Sequence, residues 1–509
     1  MSLSSTNRIL NPALLQRVMS GEEAAALIKP GSQIGMSGFT GSGYPKAVPQ
    51  ALAARAIAAR ERGETFKVNL FTGASTGPEL DAVLADAGAV GLRLPYQSDN
   101  STRKHINTGD IEYIDLHLSQ VAQLVEYGFL GKLDVAIIEV TAVLEDGRAI
   151  PSTSLGNNQT WINCAEKVIL EINSTQPLEL EGIHDIYHGL VKPPHRQPIE
   201  LTTVAQRIGE PHLRIPPEKI IAIVNTDAPD RSNPFKAPDE GSNKIAGHIL
   251  EFLDWEVKNG RLPESLLPLQ SGVGNIANAV LFGLAEAPYE NLTAYTEVIQ
   301  DGLINLMRLG KMTCASATSF SLSPQCVSEL MPQIGEFRDR IVLRAQEISN
   351  HPGIIRRLGV IAMNGMIEAD IYGNVNSSHI MGSSIMNGIG GSGDFARSGF
   401  LSIFMAPSTA KNGSISTIVP MVSHMDHNEH DVSVLVTEQG LADLRGLSPT
   451  QRAKRVIEKC SHPDYRGELL DYYNRSAASA KGKHTPHILT ESLSWHSRFL
   501  STGSMHPSK

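Results

Sequence analysis

The chain has 509 residues, of which 41% are hydrophobic and 19% charged, so it is long enough to bury a large core in two or more domains. A formal net charge of -9 without any dense lysine and arginine block argues against nucleic acid or an anionic membrane as the main partner. Four scattered cysteines, the lack of a cationic and apolar leader, and the lack of a long apolar run favour a reducing compartment, and we predict the cytoplasm.

The first half of the chain alternates predicted helices with short strands. Ser20 to Glu23 form a capping box that begins a helix to Ile28, and a second helix carries Ala51 to Ala59. Short, mostly apolar strands are predicted at 33–36, 67–71, 135–140, 168–172 and 220–224. This alternation predicts an α/β fold with a largely parallel sheet.

The second half repeats parts of this pattern. Ser37 precedes a glycine and an alanine-rich helix, as Ser271 does, and the two serines are 234 residues apart (271 minus 37). The glycine turns that begin at Leu155 and Ile389 have the same separation (389 minus 155). We interpret this as a duplication, with chance matching of glycine turns as the alternative. A linker in 225–238, rich in Asp, Pro, Asn and Ser, divides the predicted domains 1–230 and 231–509.

A glycine turn and an isolated acid stand out in residues 266–302. The apolar run 266–269 leads into a turn of Gly272, Val273, Gly274, Asn275 and Ile276 and then a predicted helix to about residue 285, an arrangement that can receive a phosphate. A predicted strand over 293–299 contains Glu297, and Asp301-Gly302 ends it. A nicotinamide-binding fold also follows a glycine turn with an acid, so a dehydrogenase stays open at this point, as does a solvated or paired glutamate.

A second glycine-rich loop covers residues 387–395. Its glycines allow several backbone N–H groups to face one point, which suits an oxyanion or a phosphate. A flexible surface turn is the alternative. Because the apolar run 400–405 follows directly, we predict a loop anchored on a sheet and hence a site.

These motifs together resemble the acetyl-CoA hydrolase/transferase family of class I CoA-transferases along nearly the whole chain. The segments that carry the resemblance are Ser37 to Pro45, Thr72 to Pro78, Ser271 to Asn278, Tyr295 to Gly302, Gly388 to Phe395 and Val436 to Gly446. The resemblance implies two similar Rossmann-like open-sheet halves, with Glu297 in the C-terminal domain.

Roles for individual residues follow from the same resemblance. It implies that Glu297 carries first the acyl group and then CoA. The tetrahedral steps of such a reaction need N–H donors for developing oxyanions, a role that the backbone of Gly390 and Gly391 could fill. The implied CoA contacts are Gly272, Val273, Gly274, Asn275, Ile276, Ile367, Gly391 and Lys411. Asn350 and Glu438 could position substrate or nucleophile and Arg231 could bind a carboxylate, but an exposed salt bridge or hydrogen bond would explain these three equally well.

The resemblance implies transfer of CoA between succinyl-CoA and acetate through an acyl-glutamyl anhydride and a glutamyl-CoA thioester. The expected partners are acyl-CoA and small carboxylic acids, with the CoA thioester as a substrate, no prosthetic group and a homodimer. Acetyl-CoA hydrolase is the nearest alternative. A nicotinamide dehydrogenase and a non-catalytic acyl-CoA-binding protein are the alternatives from other classes.

One further segment offers metal ligands. Residues 424–430 contain three histidines, an aspartate and a glutamate. Since the implied reaction needs no Lewis acid, we predict a solvated loop there and no metal.

Overall fold

The computed structural model describes residues 8–189, 192–232, 234, 236–480 and 482–507. In chain order the strands are β1 Gln33–Met36, β2 Val68–Phe71, β3 Val90–Leu94, β4 Glu112–Tyr113, β5 Val135–Val143, β6 Ala149–Pro151, β7 Lys167–Asn173, β8 His184–Asp185, β9 Ile220–Thr226, β10 Leu269–Ser271, β11 Leu292–Tyr295, β12 Val298–Ile299, β13 Met312–Ala317, β14 Ser319–Phe320, β15 Ile341–Arg344, β16 Ile361–Gly365, β17 Glu368–Asp370, β18 Val375–Asn376, β19 His379–Ile380, β20 Ser384–Ile385, β21 Leu401–Met405, β22 Thr409–Ala410, β23 Ile415–Ser416, β24 Ile418–Val419, β25 Val434–Thr437 and β26 Gly440–Asp443.

The helices alternate with these strands through much of the chain. They are α1 Gly21–Ala26, α2 Ala47–Glu61, α3 Asp81–Asp86, α4 Asn100–Asn107, α5 Val121–Glu126, α6 Asn158–Cys164, α7 Glu240–Lys258, α8 Asn275–Glu286, α9 Asp301–Arg308, α10 Pro324–Leu330, α11 Gln346–Ser349, α12 Pro352–Leu358, α13 Ser392–Ser398, α14 Pro449–Cys460, α15 Pro463–Ala480 and α16 Ser494–Thr502. Among the described residues, no helix has both the length and the apolar content that crossing a membrane requires.

The chain divides into two compact units. Unit 1 runs to Phe235 and adds Thr293–Ile304 and Thr313–Leu358, and unit 2 holds Lys236–Leu292, Asn305–Met312 and the chain from Gly359 onward. Residues 293–304, which include Glu297, thus belong to unit 1. The division into domains 1–230 and 231–509 stays a prediction.

Unit 1 contains a parallel sheet with strand order β4-β3-β2-β1-β5-β7-β9, and β6 pairs antiparallel with β5. β5 is buried along its whole length, as expected for a parallel strand covered on both faces. One core cluster packs α2 against this sheet, and a second surrounds Trp161 of α6. A further set of strands in unit 1 has the order β11-β13-β15-β8.

Unit 2 repeats the topology that surrounds β1 in unit 1. Its neighbouring strands β10, β16, β21 and β25 are mutually parallel, as β1, β5, β7 and β9 are in unit 1. Strand β26 then pairs antiparallel with β25. Both ends of α13 lie 234 residues after the corresponding ends of α6 (392 minus 158 and 398 minus 164), which is the separation found in the sequence. The predicted α/β fold with two similar open-sheet halves is confirmed.

Two local predictions are wrong. The strand predicted over 293–299 breaks at Thr296 and Glu297 into β11 and β12, and Asp301-Gly302 begins α9 instead of ending a strand. The Asp301 side chain accepts a hydrogen bond from the Ser323 N–H at 2.9 Å, and an acid in the first turn favours a helix start. Other boundaries agree closely, since the capping box of Ser20 and Glu23 begins α1 and the described part of 227–239 lies outside helices and strands.

Candidate active site

Glu297 lies at the bend between β11 and β12. Its carbonyl oxygen accepts hydrogen bonds from the N–H groups of Thr318 at 2.9 Å and Ser319 at 3.2 Å, and β12 runs parallel to β14. The side chain is half-buried. The backbone on both sides of the carboxylate is therefore fixed, while the carboxylate keeps partial access to a reactant.

Asn350 holds the Glu297 carboxylate. Its side-chain amide Nδ2 donates to Glu297 Oε1 at 3.1 Å, and Asn350 itself is fully buried. The buried Tyr295 hydroxyl donates to the Ile348 carbonyl at 2.5 Å, which ties the end of β11 to the segment that carries Asn350. The structure thus brings two of the residues selected from the sequence together, 53 positions apart in the chain.

Three further polar residues of this region, Thr318, Ser319 and Gln346, were not selected from the sequence. Their atoms Thr318 Oγ1, Ser319 Oγ and Gln346 Oε1, like Oδ1 of Asn350, are buried and have no hydrogen-bond partner among the described residues. Each such atom costs about 1–3 kcal/mol unless a bound molecule satisfies it. The signal available in the sequence was the Thr318-Ser319 pair directly after the apolar strand β13.

Glycine turns from the first half of the chain pack closely in the same unit. A Cβ atom on Gly73 would lie 2.7 Å from the Gly38 carbonyl oxygen and 3.0 Å from Gln346 Oε1. Gly156 has a φ of +44°, and its carbonyl oxygen accepts a hydrogen bond from the Gln346 N–H at 3.0 Å. The turns are glycine because larger residues would not fit this approach.

Arg231 lies elsewhere in unit 1. Its guanidinium is 3.9 Å from Glu79, which also accepts a hydrogen bond from the Tyr44 hydroxyl at 2.8 Å. Its side chain is 55% exposed. Its neighbour Asp230 pairs with the buried Lys46 at 2.7 Å, so the start of the linker is anchored while Arg231 itself stays accessible.

The glycine turn 272–276 of unit 2 has the geometry that the sequence predicts. It follows β10, and Gly274, with a φ of +130°, is the N-cap of α8 and provides no side-chain cap. The Gly272 N–H donates to the Met363 carbonyl at 3.1 Å, and Val273 is 62% exposed. The first N–H groups of α8 are thus available to an anion.

The other predicted CoA contacts are also in unit 2. Ile367 follows β16 and donates its N–H to the Asn376 carbonyl at 2.8 Å. Lys411 is exposed, has a φ of +47°, and places its Nζ 5.0 Å from the centre of the Phe499 ring. Neither residue is part of the buried core, so both side chains are accessible to a bound CoA.

The glycine loop 388–391 leads directly into α13. Gly388 and Gly390 have φ values of +148° and +57°, and Gly391 is the N-cap of α13 with φ −92° and ψ −3°. The Gly391 N–H has no hydrogen-bond acceptor among the described residues. Phe395 of α13 is fully buried, so the loop is anchored as predicted.

Glu438 is held within unit 2. It accepts a hydrogen bond from the Ser408 N–H at 2.7 Å and another from the Ser408 hydroxyl. Burial acts to raise the pKa of Glu438, but the hydrogen bonds from Ser408 outweigh it and the pKa is lowered. Glu438 is therefore a partly buried, fixed anion. Among the described residues it accepts hydrogen bonds and forms no salt bridge, which corresponds to the hydrogen-bond alternative considered for it.

The prediction of a solvated loop at 424–430 is wrong for its central residues. His427 is 2% exposed, and the Asp426 side chain is 4% exposed because it accepts several hydrogen bonds from Ser377 and Ser378. His430, by contrast, has an 82% exposed side chain.

Comparisons with known proteins decide the family. A family model described as the acetyl-CoA hydrolase/transferase N-terminal domain matches residues 6–225, and one described as the C-terminal domain of the same proteins matches residues 327–473. The chain belongs to the acetyl-CoA hydrolase/transferase family. This assignment replaces the nicotinamide-dehydrogenase interpretation of the glycine turn.

The chain is similar to individual members of this family over nearly their full length. The chain is 51% identical to a succinyl-CoA:acetate CoA-transferase of Clostridium kluyveri over 98% of this chain and 92% of that protein. It is 44% identical to an acetyl-CoA hydrolase of Saccharomyces cerevisiae, covering 98% and 97% of the two chains. A solved structure of 4-hydroxybutyrate CoA-transferase from Porphyromonas gingivalis shares the fold, with a TM-score of 0.63, 22% identity, and 91% and 98% of the chains covered.

Asn350 offers a test of the contact with Glu297. In Asn350→Asp a carboxylate replaces the amide donor, so repulsion between like charges should disfavour the ionised form of the Glu297 carboxylate and raise its pKa. The acidic limb of the profile of kcat/KM against pH should therefore move to higher pH in Asn350→Asp. In Asn350→Ala, kcat/KM should fall while the acidic limb moves less. Superimposable profiles of the wild type and Asn350→Asp would show that the contact between Asn350 and Glu297 does not affect the group that controls the rate.

Proposed function

We propose that this protein is a CoA-transferase that moves CoA between succinyl-CoA and acetate, with Glu297 as the covalent carrier. The observation that carries the proposal is the carboxylate of Glu297, half-buried, fixed on both sides by backbone hydrogen bonds and oriented by Asn350 at 3.1 Å. The choice of acids is supported by the Clostridium kluyveri relative.

The proposed reaction conserves the thioester energy in two covalent intermediates. A Glu297 carboxylate oxygen attacks the succinyl-CoA carbonyl, the C–S bond breaks, and CoA thiolate leaves to give a succinyl-glutamyl anhydride. The thiolate then attacks the glutamyl carbonyl of that anhydride and frees succinate, which leaves a glutamyl-CoA thioester. Acetate attacks this thioester, and the same two steps in reverse yield acetyl-CoA and the Glu297 carboxylate.

Backbone N–H groups can stabilise the negative charge that develops on oxygen in these steps. Each tetrahedral intermediate carries an oxyanion, and we assign the Gly391 N–H, which has no other acceptor among the described residues, to its stabilisation. The phosphates of CoA suit the start of α8 at Gly272 to Ile276 and the exposed ammonium of Lys411. Ile367, which is also in unit 2, is assigned to a contact with the CoA part of the substrate. Arg231 is assigned to binding the carboxylic acid. Glu438 is assigned to positioning the substrate or the nucleophile.

A hydrolase is the second candidate, favoured by the 44% identity to the Saccharomyces cerevisiae enzyme. Both activities could use the same glutamyl intermediates, so the difference lies in whether carboxylate or water attacks them. We expect attack by the carboxylate to be faster than attack by water, because an acid bound beside the reacting carbonyl has the advantage of proximity. The cytoplasm and a homodimer remain predictions.

Thiol release from succinyl-CoA with and without acetate, measured beside acetyl-CoA formation, separates the two activities. With acetate present, acetyl-CoA formation should exceed release of free CoA by roughly 10²-fold or more. If free CoA instead appears at the same rate with and without acetate, and acetyl-CoA does not accumulate, the protein is a hydrolase.

A further inference from the structure

Three potential metal ligands converge in unit 2, outside the residues assigned to the reaction. One ligand atom from each of His379, His424 and Asp426 lies within 4.8 Å of the others. The imidazole rings of His379 and His424 have their centres 3.7 Å apart, and His424 Nε2 lies 3.3 Å from Asp426 Oδ1. The two ring planes are 32° apart, so the rings are partly stacked. A strand residue and a distant loop thus bring two imidazoles and one carboxylate close together.

The hydroxyl of Ser378 sets the tautomer of His379. Ser378 Oγ lies 2.7 Å from His379 Nδ1 and 2.7 and 2.8 Å from the two oxygens of Asp426. A hydroxyl has one proton and an ionised carboxylate can only accept, so this proton goes to Asp426 and His379 Nδ1–H donates to Ser378 Oγ. Nε2 of His379 then carries the lone pair, which is the form that binds a metal ion.

The carboxylate of Asp426 is also held in place before any ion binds. The Ser377 N–H donates to Asp426 Oδ2 at 2.7 Å, and the Asp426 side chain is 4% exposed. A metal ligand whose outer contacts are already made loses little freedom on binding. His424 is 37% exposed and can move towards the other two groups. Tetrahedral zinc ligands lie roughly 3.3 Å apart. The three ligand atoms lie within 4.8 Å of one another and the two rings are partly stacked, so His424 must move closer and turn its ring to close the site.

We propose that His379, His424 and Asp426 bind one divalent transition-metal ion, Zn²⁺, with water in the remaining position. Two imidazole nitrogens and one carboxylate oxygen match the donor types that zinc prefers, whereas Mg²⁺ and Ca²⁺ prefer oxygen alone. This site lies outside the groups proposed for CoA transfer, which needs no metal ion, and it revises the expectation that the segment binds none.

A hydrogen-bonded path links this site to the glycine loop. Ser377 Oγ lies 3.3 Å from Asp426 Oδ2 and 3.2 Å from Nε2 of the buried His427. The same Nε2 lies 3.1 Å from Ser392 Oγ, whose proton goes to the Ile389 carbonyl at 2.7 Å, so His427 donates to Ser392. Ser392 directly follows Gly391. The carboxylate of Asp426 is therefore connected through Ser377, His427 and Ser392 to the start of α13.

Zinc binding to the full, tag-free chain tests the proposal. After treatment with EDTA and removal of the chelator, calorimetric titration with Zn²⁺ should show one saturable site per chain, and Co²⁺ should give visible absorption typical of a nitrogen and oxygen site. His379→Ala and His424→Ala should each weaken Zn²⁺ binding by about 100-fold or more, and Ser378→Ala by about 10- to 100-fold. His430→Ala is the matched control, because that exposed histidine is six residues from His424 and outside the cluster.

A second readout guards against variants that fail to fold. The thermal midpoint of the wild type should rise on addition of Zn²⁺, and His424→Gln, a change at a partly exposed position, should lose that rise while keeping the metal-free midpoint. The proposal is overturned if the wild type shows no saturable site. It is equally overturned if His379→Ala and His424→Gln bind Zn²⁺ as tightly as the wild type and His430→Ala.

Discussion

Replacing Glu297 with alanine should lower CoA transfer by about 10⁴-fold or more, because without its carboxylate there is no atom to carry the acyl group or CoA. In the wild type, incubation with succinyl-CoA alone should add the mass of the bound CoA moiety to the chain, and peptide mass spectrometry should locate it on the segment that contains Glu297. Glu297→Gln should behave like the alanine variant, since an amide of the same shape is not nucleophilic.

Glu290→Ala is the matched control for this prediction. Glu290 is exposed and lies seven residues earlier, in the turn before β11, so its loss tests the removal of a nearby acid without touching the proposed carrier. Its activity should stay close to that of the wild type. Transfer that persists at the wild-type rate in folded Glu297→Ala, or an adduct on another residue, would remove Glu297 from its proposed role.

Gly391→Pro should lower kcat by about 10²- to 10³-fold, the usual cost of losing one oxyanion donor. Proline has no N–H, and Gly391 is the residue whose N–H has no acceptor among the described residues. The measurement is kcat for acetyl-CoA formation at saturating succinyl-CoA and acetate, beside far-UV circular dichroism and a thermal midpoint.

Gly391→Ala separates the loss of the donor from a change of shape. The φ of −92° and ψ of −3° at this position are accessible to alanine, which keeps its N–H. Alanine should therefore retain much more activity than proline. If a folded Gly391→Pro variant turns over as fast as Gly391→Ala, the oxyanion role belongs to another group.

Much of the fold could be predicted because its signals are local. The capping box at Ser20 and Glu23, the apolar strand at 135–143 and the glycine turn before α8 each depend on a few neighbouring residues. The duplication was visible for the same reason, because equivalent turns keep their glycines wherever the backbone needs them. Helices α6 and α13, which follow equivalent glycine turns, show the same spacing of 234 residues.

The errors arose where a distant partner overrides the local pattern. Thr293 to Ile299 has the composition of one strand, but hydrogen bonds from Thr318 and Ser319 to the Glu297 carbonyl are accompanied by a bend there. Asp301 resembles a turn residue, yet it accepts from Ser323 and begins α9. Likewise, the polar loop at 424–430 is buried at His427 because its neighbours across the fold supply hydrogen-bond partners that the loop itself does not contain.

The alternation of strands and helices, the positions of the glycine turns and the family could all be predicted from the amino-acid sequence, and its motifs also led to the prediction of Glu297. The hydrogen bond from Asn350 to Glu297 and the proximity of His379 to His424 and Asp426 became visible only in the folded chain. The difference lies in the range of the interactions. Caps, turns and strand periodicity arise from contacts within a few residues, whereas these two groupings depend on how separate strands pack, and side-chain chemistry alone does not specify which distant residue will lie opposite.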